Sequence, residues 1–297
     1  MNDVVVVGSI NVDRSVDVHE APARGATLLG SDVRRGPGGK GANQAVALAR
    51  MGRRVAMLGA VGDDEDGAYM LGILAAEGVD ISGVERVDAA TGQAFVFVEP
   101  DGESTIVVAP GANGALTPGM LDAHRGAFAG AKCVLVQQEV PAAVVAHAAE
   151  LCQGIFVLNP APARPIGAGL LARVDILVPN RHELATIAGV SPADDVDTVA
   201  AMARSIRGPR TVIVTLGEQG ALVVEASETV HIEARAVKAI DATAAGDTFC
   251  GALVDGLLDG RDSADAARWA VRAAAVAVER RGAMDSIPHR AEVEAGP

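Results

Sequence analysis

The chain has 297 residues, of which 49% are hydrophobic, 21% charged and only 2% aromatic, so any packed core is built from aliphatic side chains, and one core with an appendage is the expected organisation. With 25 Lys+Arg against 38 Asp+Glu, the formal charge is −13 and no basic run accumulates, which counts against nucleic acid and anionic membrane surfaces as partners. No stretch of 18 consecutive apolar residues occurs and no basic segment precedes the first strand-like run, which argues against a membrane span or a secretory leader.

In chain order, short β-branched runs recur with helical stretches between them, at Val4–Val7, 55–58, 134–136, 155–158, 176–178 and 212–215. This alternation predicts a βαβ arrangement with a parallel sheet covered by helices on both faces. In such folds ligands sit beyond the carboxyl ends of the strands, so polar residues just after each run carry the most weight. Two regions, 12–35 and 91–109, hold strand-like residues without intervening helices. In the second, Asp101-Gly102 between 95–99 and 104–108 predicts a tight hairpin, because Asp-Gly supplies the positive φ angles such a turn needs. A small antiparallel sheet standing off the main layer accounts for both regions, an edge extension of the main sheet being the alternative.

Three cysteines, Cys133, Cys152 and Cys250, lie far apart in apolar surroundings with no CxxC spacing; they read as buried thiols in a reducing, cytoplasmic setting. Only three of the basic residues are lysines, Lys40, Lys132 and Lys238. A lysine inside a motif is therefore conspicuous. The tail beyond Ser286 reads as loosely structured.

Lys40 falls in GPGGKGAN at 36–43, ahead of a helical stretch at 44–51. Gly36, Gly38 and Gly41 satisfy GxGxxG, yet the segment upstream is polar and no acidic residue stands at the expected distance, so the dinucleotide fingerprint fails. A Walker A loop also fails, because Gly41 follows Lys40. What remains is a glycine turn capping a helix, or a close backbone approach to a ligand with Lys40 and Asn43 offering polar groups to hydroxyls or a phosphate.

DATAAGDTFCGAL at 241–253 places Ala244, Ala245, Gly246 and Asp247 before an apolar helix at 248–258. Free N–H groups at such a start make an anion site. Asp247 could merely complement the helix dipole; if a transferring phosphoryl group rested on the Ala244 to Gly246 amides, it would instead be placed to accept a proton from an attacking hydroxyl. Further polar residues follow the strand runs: Ser9, Asn11 and Asp13 after the first, then Glu139, Asn159, Asn180 with Glu183, and Thr215 with Gly217. Singly each suits a cap or turn; five strand ends so equipped point to one site.

The motifs GSINVD at 8–13, GGKGANQAVA at 38–47, NPAPAR at 159–164 and AAGDTF at 244–249 are similar to those of the ribokinase-like carbohydrate kinases, and the chain resembles that family over nearly its entire length. The resemblance implies one three-layer, Rossmann-like α/β domain over 1–297, its mostly parallel central sheet flanked by helices, with a small β-sheet lid contributed by 12–35 and 91–109. It implies ATP-dependent transfer of a γ-phosphoryl group to a sugar hydroxymethyl oxygen, O5 in the case of ribose, with Asp247 as base and the Ala244, Ala245 and Gly246 amides as anion hole. Asn11, Asp13, Gly39, Lys40, Asn43 and Glu139 match the family's sugar-holding positions. Asn180 and Glu183 match its NxxE motif, which organises Mg²⁺ and phosphate through water, and Thr215, Gly217 and Gly220 match the nucleotide-lining stretch.

The same resemblance implies an activating K⁺ site formed by the Asp241 side chain and the carbonyls of Thr243, Ala277, Arg280 and Gly282, with Ser286 nearby, and a homodimer joined through the lid. Ala242 stands where the family usually has threonine, and Val271 where a histidine can lie near adenine. Substrates open on this reading are ribose, 2-deoxyribose, another pentose or a nucleoside, the last disfavoured because only Phe95 and Phe97 in the second off-sheet segment could stack a base. From other classes, a catalytically silent sugar-binding module and a nicotinamide-dependent oxidoreductase remain as alternatives.

Overall fold

Val4–Val7 forms β1, the strand on which the molecule is centred: all four valines are fully buried, Val4 and Val6 in one core, Val5 and Val7 in another. A strand whose alternate side chains point to opposite faces reads as an unbroken apolar run only when both faces are covered. In the computed structural model, which describes residues 2–25, 27–100 and 104–296, the strands that follow are β2 (Asn11–Asp17), β3 (Arg34–Gly38), β4 (Val55–Gly62), β5 (Asp80–Val87), β6 (Gly92–Val98), β7 (Ser104–Ala109), β8 (Cys133–Gln137), β9 (Ile155–Asn159), β10 (Ile176–Leu177), β11 (Thr211–Thr215), β12 (Ala221–Glu225) and β13 (Thr229–Ile232). Nine of them make the main sheet, in the order β13-β12-β11-β10-β9-β8-β1-β4-β5. Pairing is parallel from β5 to β11, and β12 and β13 add an antiparallel edge.

The helices Lys40–Arg50, Ala245–Leu258 and Ser263–Ala277 cover one face of this sheet, and Ala142–Leu151, Arg181–Ala188 and Val196–Ser205 the other. β4 lies on one side of β1 and β8 on the other. The chain therefore reverses its direction of growth beside β1, and a crevice opens beyond the carboxyl ends of β1 and β8.

Strands β3-β2-β6-β7 form a second sheet, antiparallel in its outer pairs and parallel between β2 and β6. Within 12–35 only β2 and β3 are strands, and the Asp101-Gly102 turn lies outside the described residues. The sheet is tied to the main body through Asp66 on the Glu65–Ala76 helix, which accepts from Arg14 (2.7 Å) and Arg35 (2.6 Å). Arg35 also stacks 4.2 Å over Tyr69.

Several expectations need correction. Three strands of the main sheet, β5, β12 and β13, are not among the expected runs: β12 is a buried apolar run, whereas β5 and β13 are edge strands with polar and exposed positions, where no helix covers both faces. The tail is ordered, with a helix at Arg290–Ala295 and with Ile287 and Val293 buried. Arg50 donates to the Ile287 carbonyl (2.6 Å) and Arg290 to that of Met51 (2.9 Å), so guanidiniums replace the apolar surface the tail lacks. Cys152 is half-buried, at the exposed end of the helix before β9, while Cys133 and Cys250 are buried. Among the described residues, no helix is long and apolar enough to cross a membrane.

Candidate active site

The glycine-rich motif straddles an element boundary. Gly38 ends β3, Gly39 is the N-cap of a helix that begins at Lys40 and not at Gln44, and Gly39 adopts φ +90°, which a side-chain-bearing residue rarely tolerates. A Cβ on Gly41 would lie 2.6 Å from the backbone of Gly8 and Ser9, and one on Gly39 2.6 Å from the Asn11 nitrogen. The close approach these glycines permit is thus to the chain's own β1–β2 turn and not, at Gly41, to a ligand. That packing sets Lys40 and Asn43, in the helix's first turn, beside the residues following β1.

Opposite them, the second long helix starts at Ala245, three residues earlier than expected, so Asp247 lies inside its first turn. Ala244 caps it at φ 59°, the sole positive φ outside glycine among the described residues. Left-handed geometry costs an alanine about 1–2 kcal/mol. Both helices meet closely: a Cβ on Gly251 would strike the Ala47 methyl at 2.5 Å.

Between the helix starts and the second sheet lies a cavity of about 550 Å³. Of the expected sugar-contacting residues, Asn11, Asp13, Gly39, Lys40, Asn43, Glu139 and Asp247 all line it, and so do Asn180, Glu183 and Thr215 from the strand ends, Asp241 and Thr243, and Ala244 and Gly246. The cavity lining does not include Ala245, Gly217 or Gly220. Ala245 donates to the Ala242 carbonyl (3.2 Å). Gly217 and Gly220, both at positive φ, close the β11–β12 turn, where the Leu216 N–H donates to the Gly220 carbonyl at 2.8 Å. Val271 is buried in the core behind the site.

Hydrogen bonds hold the polar side chains in place. Asp247 accepts from Asn43 Nδ2 and Gln44 Nε2, each at 2.9 Å. Glu139 accepts from the Ser9 hydroxyl (2.5 Å) and the Lys40 amide (3.2 Å). Asn113 donates to Asn11 Oδ1 at 2.7 Å and accepts from the Ile10 amide at 2.8 Å, which fixes Asn11. Asn180 and Glu183 cap their helix reciprocally at 2.8 Å, a capping box. The Asn43 Oδ1 atom is buried with no partner, an acceptor left free for a donor from a ligand.

Four carboxylates, Asp13, Glu139, Glu183 and Asp247, surround one ammonium, that of Lys40. Burial, together with the charges of Glu139 and Asp247, pushes the Asp13 carboxyl up to about 7. Burial also raises Asp247 and Glu183, against the pull of Lys40 and, at Asp247, of the two amide donors. Burial alone would lower Lys40, but Asp247, Glu139 and Glu183 outweigh it and its pKa is raised. A buried carboxylate drawn toward neutral pH and within reach of a cavity has the properties of a general base.

The expected cation residues lie on one flank. Asp241 accepts from the amides of Thr243 and Gly282, both at 2.9 Å; burial works against its ionisation, but these donors hold its carboxyl below the ordinary value. Ala277 ends the Ser263–Ala277 helix, and its carbonyl accepts from the Arg280 amide (3.1 Å). The Arg280 side chain turns away to Glu292, and the fully buried Ser286 donates to the Ala283 carbonyl at 2.8 Å. A carboxylate joined by backbone carbonyls would be a hard-oxygen set suited to a hard cation. Among the described residues no group of three or more His, Cys, Asp or Glu side chains is arranged to hold a metal ion, so a divalent ion here would draw most of its ligands from phosphates and water, as Mg²⁺ commonly does.

Gln44, Asn113 and Gln137 are the contributors that sequence patterns leave unmarked. Gln137 had a signal, as a polar residue closing an apolar strand; Gln44 and Asn113 sit among alanines and glycines where no spacing singles them out.

This fold is shared with solved enzymes. The ribokinase of Thermotoga maritima superposes with a TM-score of 0.91 at 33% identity over 99% of each chain, and that of Arabidopsis thaliana, solved with ribose and ATP, with a TM-score of 0.90 at 29% identity over 99% of this chain and 98% of that one. The class is therefore that of α/β phosphotransferases with an alcohol group as acceptor. The model of the pfkB family carbohydrate kinases matches residues 1–290, and the chain belongs to that family. Among its relatives are a ribokinase of Haemophilus influenzae, 40% identical over 294 residues (97% of this chain, 96% of the relative), and a deoxyribokinase of Salmonella typhi, 36% identical over 293 residues (96% and 95%).

Proposed function

We propose that the protein transfers the γ-phosphoryl group of ATP to O5 of D-ribose, giving ribose 5-phosphate and ADP. The observation that carries this reading is Asp247, buried at the first turn of a helix, held by two amide donors, and lining one cavity with six hydroxyl-binding residues. Asn11, Asp13, Gly39, Lys40, Asn43 and Glu139 hold the sugar, the unpartnered Asn43 Oδ1 taking a hydroxyl donor. Asp247 accepts the O5 proton as that oxygen attacks the γ-phosphorus, the bond to the ADP oxygen breaks, and charge on the transferring group is met by Lys40 and by the N–H groups of Ala244 and Gly246, the Ala245 N–H being engaged by the Ala242 carbonyl.

Asn180 and Glu183 would orient water around Mg²⁺, which supplies charge neutralisation to the phosphates. Thr215 borders the nucleotide, with Gly217 and Gly220 shaping the turn beside it. Asp241, with the carbonyls of Thr243, Ala277, Arg280 and Gly282 above Ser286, would hold K⁺ and so fix the loop that carries the anion hole. Ala242, which replaces a threonine in this loop, leaves the carboxylate and the carbonyls in place.

The second sheet acts as a lid. Ala94, Val96, Ile106 and Val108 face the cavity, so closure would bury apolar surface over the sugar and exclude water. The opposite face, with Phe95 and Val107 paired and exposed, suits a second copy of the chain. The three free cysteines fit a cytoplasmic location.

Deoxyribose is the second substrate to consider, on the strength of the 36%-identical deoxyribokinase. A nucleoside is a poorer fit, because strand alternation puts Phe95 and Phe97 on the sheet face away from Ala94 and Val96. ADP release with Mg-ATP against ribose, deoxyribose and adenosine, with and without K⁺, tests the whole reading. Ribose-dependent turnover raised by K⁺ is expected. Preference for another acceptor would discard ribose and keep Asp247 as base, and no turnover on any sugar would point to a silent binding module.

A further inference from the structure

Behind Asp247 lies a row of side-chain amides, Gln44, Gln137 and Asn159, of which only Asn159 reaches the cavity wall. Gln44 Nε2 donates both to Asp247 Oδ1 (2.9 Å) and to Asn159 Oδ1 (3.1 Å); Gln44 Oε1 accepts from Gln137 Nε2 (2.5 Å); and Asn159 Nδ2 donates to the Val178 carbonyl (2.8 Å). Gln44 and Gln137 are fully buried. An amide can in principle present either its N–H or its oxygen to a neighbour. Here both ends of the row remove that choice. The Val178 carbonyl can only accept, so Asn159 turns its nitrogen to it and its oxygen to Gln44. An ionised Asp247 can only accept, so Gln44 turns its nitrogen toward both acceptors, which leaves its oxygen for the Gln137 nitrogen.

We propose that Gln44 is a positioning residue for Asp247, and that Gln137 and Asn159 lock the Gln44 amide in its donating orientation, so that the base is held as an acceptor whose proton-binding oxygen and angle are set from behind the site. This rests on the kinase reading above. A flipped Gln44 would set its oxygen against the carboxylate and favour the protonated, idle form. The amides hold the base without neutralising it, which a guanidinium in the same place would do.

The charged and titratable groups that act on Asp247 are Lys40 from its own helix start, Glu139 after β8, Glu183 from the facing helix, Asp13 from β2 and Cys250 one turn along. None of them is altered by substitutions at 44 or 137. Gln44→Leu removes the donor at similar volume. Loss of one hydrogen bond to a charged group is expected to lower kcat roughly 10- to 100-fold, with KM for sugar and ATP within about twofold and the acid limb of kcat moved to higher pH. Gln137→Leu moves both in the same direction by less, and it leaves every direct contact of Asp247 in place should Gln44→Leu fail to fold.

In the double variant, Gln137→Leu should cost nothing beyond Gln44→Leu, since it acts only through that amide. Additive losses, or an acid limb unmoved in both single variants, would overturn the proposal and leave the glutamines as packing. A second readout needs no turnover: the ¹³C carboxyl titration of Asp247, assigned by its absence in Asp247→Asn, should shift upward in either variant. If the unaltered enzyme phosphorylates no sugar, the functional reading fails, while this titration still decides the role of Gln44.

Discussion

Asp247 and Asp255 lie about two turns apart on one helix and both are buried, yet their partners differ in kind. Asp255 receives Arg53 Nε at 2.6 Å, Arg290 Nη2 at 2.5 Å and Trp269 Nε1 at 3.0 Å. Asp247 receives two neutral amides, with its balancing charge on Lys40 acting through space. The first arrangement pins the helix Ala245–Leu258 to the chain after Lys40–Arg50, to the Ser263–Ala277 helix and to the tail. The second keeps a carboxylate oriented but able to take a proton. Hydrogen bonding without charge neutralisation distinguishes a site from a brace.

The largest effect should come from exchanging those roles for silence. Asp247→Asn keeps size and polarity but cannot act as base, and kcat should fall roughly 10²- to 10⁴-fold, while sugar affinity, read by calorimetry, stays within a few-fold. Retained turnover would remove Asp247 from the mechanism. Asp255→Ala should do the converse. It takes a fully buried acceptor from the Trp269 N–H and from two guanidiniums that keep Asp259 as a partner, and should cost about 1–3 kcal/mol of unfolding free energy, with turnover per folded molecule little changed. A loss in kcat comparable to that of Asp247→Asn would erase the distinction.

The two aspartates were unequally legible. Asp247 announces itself in sequence because small residues precede it and an apolar helix follows, and β1, β8 and β11 announce themselves as unbroken apolar runs. Asp255, inside GALVDGLL, gives no sign of Arg53 or Arg290, which meet it only through tertiary packing over 202 and 35 positions. The same holds for Gln44 and Gln137, whose meaning is a contact 93 residues apart. Strand-end polarity and glycine spacing are local consequences of the fold and could be read; the amides behind the base, the edge strands and the arginine-anchored tail are long-range consequences and could not.

Asp13 is a third case, half-buried, with its carboxyl drawn up from 3.8 to about 7 by burial and by the charges of Glu139 and Asp247. Because the folded-state value is raised, the fold is favoured by the protonated form: that contribution is fully present below about pH 4 and is lost as pH rises through 7. Asp13→Asn should therefore stabilise the unliganded protein at pH 8, by about 1–2 kcal/mol once partial solvation of the side chain is allowed for, and leave stability at pH 4 nearly unchanged. It should also weaken sugar binding at pH 8, since a carboxylate acceptor is lost. Equal melting shifts at both pH values would show that Asp13 titrates normally and belongs with the braced carboxylates.

The smallest effect concerns the residue that starts the shared helix. Ala244 holds φ 59° immediately before the first turn that carries Asp247. Glycine there relieves about 1–2 kcal/mol of left-handed strain, but it also gives the unfolded chain more freedom to lose, about 0.5–1 kcal/mol. The net expectation for Ala244→Gly is a gain of up to about 1 kcal/mol in chemical denaturation. Activity should move the other way by a few-fold, because the Ala244 to Gly246 amides would no longer be held in one geometry before the phosphoryl group arrives. If both stability and kcat rose together, the strain would be incidental to the anion site, and the contrast with Asp255 would rest on the Asp247 side chain alone.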